Sequence, residues 1–220
     1  MSESCIVLGG GGHAQVLIDC IQARGGIEIL GILESDSSRW GESVQGIPVL
    51  GGDLLLPKMK RRGAKYFVVG VGNVGDASIR KRLYQMGVES GLEPLTVVHP
   101  TACRSAWARI GRGVQLLPVC VVNAGAEVGD NAIVNSGAIV EHDCVIGSHA
   151  HVATGARLAS AVRVGDDSLI GVGASVRQGI KIGRRAVVGA GAVVVNDVPD
   201  DLVVVGVPAK VLRARGTPRE

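Results

Sequence analysis

Starting at Ile110, every sixth residue of the chain is aliphatic: Ile110, Leu116, Val122, Val128, Val134, Val140, Ile146, Val152, Leu158, Val164, Ile170, Val176, Ile182, Val188 and Val194. Four places after most of them stands a small residue, such as Ala126, Ala138, Cys144 or Ala156. Glycine often follows the aliphatic directly, as at Gly111, Gly129 and Gly147. A period of six fits neither the helical repeat nor the two-residue alternation of a flat strand. It predicts a parallel β-helix, in which each unit supplies one short strand and a corner and three units close a triangular coil. The aliphatics then stack inward, coil on coil, about 4.8 Å apart. Aromatics make up only 2% of the chain, as a narrow prism without room for rings requires. Pro199 and the following "VVVGVPAK" mark the end of the coils and a C-terminal tail.

The first part has a different texture. A short aliphatic run, Cys5 to Leu8, meets "GGGGHA" and then apolar residues at helical spacing, Val16, Leu17, Cys20 and Ile21. "IEILGILE", "AKYFVVGVG" and "LEPLTVVHP" are further strand candidates, and "DASIRKRLYQMG" reads as a helix. Alternating strands and helices predict a small Rossmann-like parallel α/β sheet over residues 1–97, with the β-helix and its tail over 98–220. The glycine run formally satisfies G-x-G-x-x-G/A through Gly9, Gly11 and Ala14, which alone would suggest NAD. A unit of this size is half a dinucleotide domain, so the better expectation is one diphosphate cradled by loop amides at a helix N-terminus.

Net charge is +3, and no basic stripe interleaves with aromatics, so nucleic acid is not expected as a partner. The five cysteines form no CxxC pair, and no apolar run is long enough to span a membrane. These features predict a cytoplasmic protein with reduced thiols and no membrane insertion.

The register carries one polar cluster: Glu141, His142 and Asp143 in "IVEHDCVIG". His142 stands two places after the inward Val140, so it should point outward. By residue type alone it is either a solvated surface histidine or a general base, since an imidazole titrates near neutrality. Asn135 is open to two readings as well: a site residue, or a corner asparagine stacked on Asn123 two hexads earlier.

"VLGGGGHAQVLIDC", "VGVGN", "VVHPTA", "VNSGAIVEHDCVIGSHAHVATGA" and "VGVPAK" together resemble the sialic-acid O-acetyltransferase-like family of left-handed β-helix acyltransferases. Within it they are most similar to bacterial nucleotide-sugar N-acetyltransferases acting on UDP-linked 4-amino sugars or GDP-perosamine. The resemblance implies an acetyl-CoA-dependent acetyltransferase for surface glycan or lipopolysaccharide building, with no metal. It also implies a homotrimer with active sites between subunits. His142 matches the general base and Asp143 its carboxylate. His151 matches a histidine that contacts acetyl-CoA, as a donor to the thioester carbonyl, and Val172 and Ala190 match backbone contacts to the same co-substrate. Gly11, Gly12, His13, Glu34, Asp36, Gly72 and Asn73 match positions that hold the nucleotide-linked amino sugar, with the choice between Glu34 and Asp36 open. Asn135 matches an asparagine near the reacting centre. Arg184, Arg185 and Lys210 are weaker candidates for CoA phosphates. The same base would serve a sialic acid or glycan O-acetyltransferase. A zinc reading of His142, His149 and His151 is disfavoured by their spacing.

Overall fold

The computed structural model describes residues 3–216. The chain divides into two compact units, one through Gly72 with Ser78–Pro100, the other Asn73–Ala77 with Thr101 onward. The break at Pro100 falls three residues beyond the expected 97, and residues 73–77 join the second unit.

The first unit runs β1 (Glu3–Leu8), α1 (Gly12–Arg24), β2 (Ile27–Leu33), β3 (Ser43–Val44), β4 (Ile47–Gly51), α2 (Leu56–Arg61), β5 (Tyr66–Val69), α3 (Ser78–Glu89) and β6 (Glu93–Pro94). The sheet order is β3-β4-β2-β1-β5-β6. β1 pairs in parallel with β2 on one side and β5 on the other. The chain therefore reverses its winding beside β1, and the crevice beyond the carboxyl ends of β1, β2 and β5 is where such sheets take ligands. The core is Ile6, Leu8, Leu33, Phe67, Val69 and Leu83, with Leu56 and Met59 from α2. Among these sits Arg80 at 0% exposure. Its Nη1 donates to the carbonyls of Val69 at 3.2 Å and Val71 at 2.7 Å, tying α3 to the end of β5. Burial lowers its pKa to about 9, which still leaves the guanidinium charged at neutral pH.

In the second unit each hexad contributes a two-residue strand. Val121–Val122, Ile139–Val140 and Arg157–Leu158 lie in parallel register, each one coil of eighteen residues beyond the last. Three such stacks form the faces of the prism. The second residue of each strand points in, and Val122, Val134, Val140 and Val152 are all at 0% exposure. Burying one such side chain contributes roughly 1.5–3 kcal/mol. The coil pattern extends at least one hexad ahead of the aliphatic series, to Cys103–Arg104, paired with Val121–Val122. Arg104 takes the place of the aliphatic there, and so the sequence pattern hides it. Strands Leu202–Val205 and Lys210–Ala214 form an antiparallel pair that closes the stack.

From Ile110 to Val188, each inward aliphatic is followed three places on by a residue with positive φ. Glycine fills it at 113, 125, 137, 155, 173, 179 and 191; Asn131, Asp143, His149, Ala161, Asp167 and Arg185 fill others. Val119 is the exception in kind, a β-branched residue at φ 52 and 61% exposed. Left-handed backbone costs an L-residue about 1–2 kcal/mol, most for branched side chains. Glycine loses about 0.5–1 kcal/mol of that gain to unfolded-chain entropy. Val119→Gly is thus expected to stabilise the protein by about 1 kcal/mol, raising Tm by roughly 2–4 °C in a thermal melt; an unchanged or lower Tm would show the strain to be absent.

Candidate functional site

The glycine-rich loop connects β1 to α1. Gly11 caps α1 without a side-chain bond, no acid occupies the first turn, and Gly11 and Gly12 face open space. Free amides at a helix N-terminus with no blocking side chain suit an anion. Glu34, just past β2, braces this loop. Its Oε2 accepts the Gly10 N–H at 2.7 Å, and its Oε1 accepts the Asp36 N–H and the Ser35 hydroxyl, both at 3.1 Å. Burial pushes the Glu34 pKa up, but these hydrogen bonds outweigh it and hold the carboxyl below the usual range. Asp36 is exposed and uses one oxygen, Oδ1, to accept from Ser38 N–H and Oγ–H. Of the two acids, Glu34 is the brace and Asp36 the one facing solvent.

Two residues missed in the sequence complete this edge. Arg39 Nη1 donates to the Gly10 carbonyl at 2.9 Å, and the Trp40 indole N–H donates to the Glu34 carbonyl at 2.8 Å. Both sit in a short turn after Asp36 that reads as plain loop. Nearby, a cavity of about 50 Å³ opens among Gly9, Leu33, Glu34, Asp53, Val71 and Arg82. A Cβ at Gly72 would lie 3.9 Å from the His13 ring, so these two predicted residues are neighbours.

In the β-helix, His142 and Asp143 occupy the corner between strands Ile139–Val140 and Val145–Ile146. Their side chains are 58% and 68% exposed, with His142 Nδ1 2.8 Å from Asp143 Oδ2. A carboxylate can only accept, so Nδ1 carries the proton and Nε2 presents its lone pair outward. Asp143 stands at φ 61, and its carboxylate lies over Gly125 of the preceding coil, where a Cβ would meet Oδ1 at 2.5 Å. Glu141 accepts from Asn123 Nδ2 at 2.8 Å. The coil length explains this: side chains stack at eighteen residues, so Asn123 pairs with Glu141, not with Asn135 twelve residues on.

Asn135 meets His151. Ser136 N–H donates to Asn135 Oδ1 at 2.8 Å, Asn135 Nδ2 lies 3.0 Å from His151 Nε2, and His151 Nδ1 lies 2.6 Å from the Asn73 carbonyl. His151 is 7% exposed. Asn135 and His151 belong to one face and Val172 to the corner beside it, with Ala190 one coil beyond Val172. Along that corner Gly137, Gly155, Gly173 and Gly191 form a ridge of bare backbone with open space beyond it. Such a ridge suits the close approach of a pantetheine arm. Arg184 and Arg185 turn out to lie on the third corner, paired with Asp166 at 3.6 Å and Asp201 at 2.5 Å. His142 is on yet another corner, so one copy of the unit displays the His142–Asp143 pair and the Asn135–His151–ridge group on different sides. His149 contacts Asn131 at 2.9 Å. Among the described residues no cluster of His, Cys, Asp or Glu could hold a metal ion, and no helix is long and apolar enough to cross a membrane.

Comparison with known proteins bears on these sites. The PglD N-terminal domain family matches residues 4–86, and the hexapeptide repeat of succinyl-transferase matches residues 161–195. The chain is 33% identical over 105 residues to a GDP-perosamine N-acetyltransferase of Escherichia coli O157:H7, a match covering 47% of this chain and 44% of that one; the chain thus aligns with less than half the length of this curated relative. It is similar to PerB from Caulobacter crescentus, solved with CoA and GDP-perosamine: 37% identity, TM-score 0.89, covering 96% of this chain and 98% of that one. It is also similar to the acetyltransferase domain of PglB from Neisseria gonorrhoeae, solved with acetyl coenzyme A: 36% identity, TM-score 0.89, covering 96% and 100%.

The bracing of the loop by Glu34 is testable by pH. Its folded-state pKa lies below the ordinary 4.5, so its contribution to stability is complete above that pH and fades as pH falls through the folded value. Glu34→Gln should be less stable than the wild type in urea at pH 7, with the gap closing below about pH 4.5. A gap that stays constant with pH would mean the charge contributes nothing.

Proposed function

The chain belongs to the nucleotide-sugar N-acetyltransferase family, with a PglD-type N-terminal domain ahead of hexapeptide repeats, and from this premise we propose that it transfers acetyl from acetyl-CoA to the 4-amino group of a UDP- or GDP-linked amino-dideoxy sugar. The observation that carries the reading is the His142–Asp143 pair, with Nε2 aimed outward from a rigid corner. The amine lone pair attacks the thioester carbon, and the carbonyl π pair moves onto oxygen. His142 Nε2 takes the proton the nitrogen must lose, while Asp143 holds the ring and favours the imidazolium. Collapse re-forms the carbonyl and breaks the carbon–sulfur bond. The proton passes from His142 to the departing thiolate, leaving an acetamido sugar and free CoA.

In this reading the loop at Gly11, Gly12 and His13 takes the diphosphate, with Asp36, Gly72 and Asn73 at the substrate's edge. The ridge at Val172 and Ala190, with His151, takes acetyl-CoA. Because the ridge at Val172 and Ala190 runs along a different corner of the β-helix from His142, the reading has a second copy supply the base, and a closed homotrimer would provide three equivalent clefts. On this reading the reaction takes place in the cytoplasm and its product serves surface glycan assembly.

The test is a panel of UDP-, GDP- and dTDP-linked 4-amino sugars with acetyl-CoA, following free thiol and identifying the product. Turnover on an amine is expected; turnover on hydroxyl acceptors alone would overturn N-acetylation in favour of O-acetylation. His142→Ala should lower kcat by about 10²–10⁴-fold, the usual share of a general base, and Asp143→Asn by less. Sedimentation equilibrium should give three times the chain mass, and an active monomer would overturn the shared cleft.

A further inference from the structure

Acyl transfer places a negative charge on the carbonyl oxygen, and a hydrogen-bond donor aimed at it is worth a large part of the rate. The donor expected from sequence was His151. The hydrogen bonds around that ring assign it differently.

The assignment starts at Ser136. Its backbone N–H can only donate, so the atom it meets at 2.8 Å on Asn135 is the amide oxygen, Oδ1. This fixes the orientation of the amide and turns Nδ2, a pure donor, towards His151 Nε2 at 3.0 Å. Nε2 therefore accepts and carries no hydrogen. At the other end of the ring the partner of Nδ1, 2.6 Å away, is the Asn73 carbonyl, which can only accept. Nδ1 therefore carries the hydrogen. The ring is the neutral Nδ1–H tautomer, and its one N–H is directed to the backbone of residue 73. It has none to offer a thioester.

Asn135 differs. Its Nδ2 bears two hydrogens, and one suffices for His151. The second has no partner among the described residues, and Asn135 is only half-buried. It opens the corner that continues through Gly137 to the bare ridge of Val172 and Ala190. We infer that the side-chain N–H of Asn135 is the oxyanion donor for the acetyl carbonyl, and that His151 is a positioning residue that locks the Asn135 amide from the Asn73 carbonyl. This rests on the acetyl-transfer reading above, but not on which sugar accepts the acetyl group.

The relay makes paired demands. Asn135→Ala removes the donor and should lower kcat by about 10²–10³-fold, with little change in KM for acetyl-CoA. Asn135→Asp, nearly the same shape and still able to accept from Ser136, removes both Nδ2 hydrogens and should lose a comparable factor, which guards against a folding defect in the alanine variant. His151→Ala should lower kcat by a smaller factor, and combined with Asn135→Ala it should cost nothing further, because the residue being positioned is already gone. In the unliganded wild type, ¹⁵N NMR of the His151 ring at pH 7.5 should show Nδ1 protonated and Nε2 bare. A protonated Nε2, an Asn135→Ala enzyme within about two-fold of wild type, or losses that multiply in the double variant would each overturn the inference. A wild type inactive on every amine and hydroxyl acceptor would overturn the transferase reading with it; an active wild type with an unaffected Asn135→Ala would overturn this assignment alone.

Discussion

Closure of the coil governs the rest of the molecule. A triangular turn of eighteen residues must bend sharply three times, and from Gly113 to Gly191 each bend passes through left-handed backbone. The sequence meets this mostly with Gly, Asn and Asp, whose short side chains tolerate that region. Once the bends are fixed, each position has a set direction. Aliphatics lie inside, the preceding residue lies on a face, and the two residues before and at the bend stand on a corner. His142 and Asp143 take the corner positions, and the backbone that carries them is braced by hydrogen bonds to the coils above and below, such as Asp143 N–H to Ala124 and Ala161 N–H to the His142 carbonyl.

The same directional order separates the chemistry. His142 stands on one corner, and the Asn135–His151 pair and the glycine ridge stand around another. A flexible loop could bring them together in one chain; a β-helix cannot, since its corners do not move relative to one another. Rigid presentation and the separation of these groups within one copy are two results of one geometry. The residues around His151 show how the scaffold also spends polar groups. A buried imidazole needs partners, and it finds them in a side-chain amide from the next coil and a backbone carbonyl from residues 73–77, which join the second unit.

What the sequence disclosed and what it hid follow the same division. The β-helix was legible because its signal is local and periodic, and the outward direction of His142 followed from counting two places past Val140. Cys103–Arg104 escaped because an arginine breaks the aliphatic series at an open end, where little is buried. The supposed stacking of Asn135 on Asn123 failed for a different reason: six is the period of the strand, but eighteen is the period of contact. Arg39, Trp40 and Arg80 gave no signal at all. Their roles depend on carbonyls of Gly10, Glu34, Val69 and Val71, and backbone acceptors leave no mark on residue type. The tautomer of His151 belongs with these, since only the arrangement of its partners reveals which nitrogen bears the hydrogen.

The eighteen-residue coil also sets which changes in length the gene can survive. Inserting one hexad between Asn135 and Val172 would preserve the inward aliphatic pattern and fold without offence to the core. It would, however, rotate everything downstream by a third of a turn, so that Val172 and Ala190 would continue a different edge from Asn135. Two hexads would do the same in the other sense. Only a whole coil, or none, keeps the edges aligned. A protein of this kind can thus drift freely in sequence at its surface while the length of its central segment remains quantised in steps of eighteen.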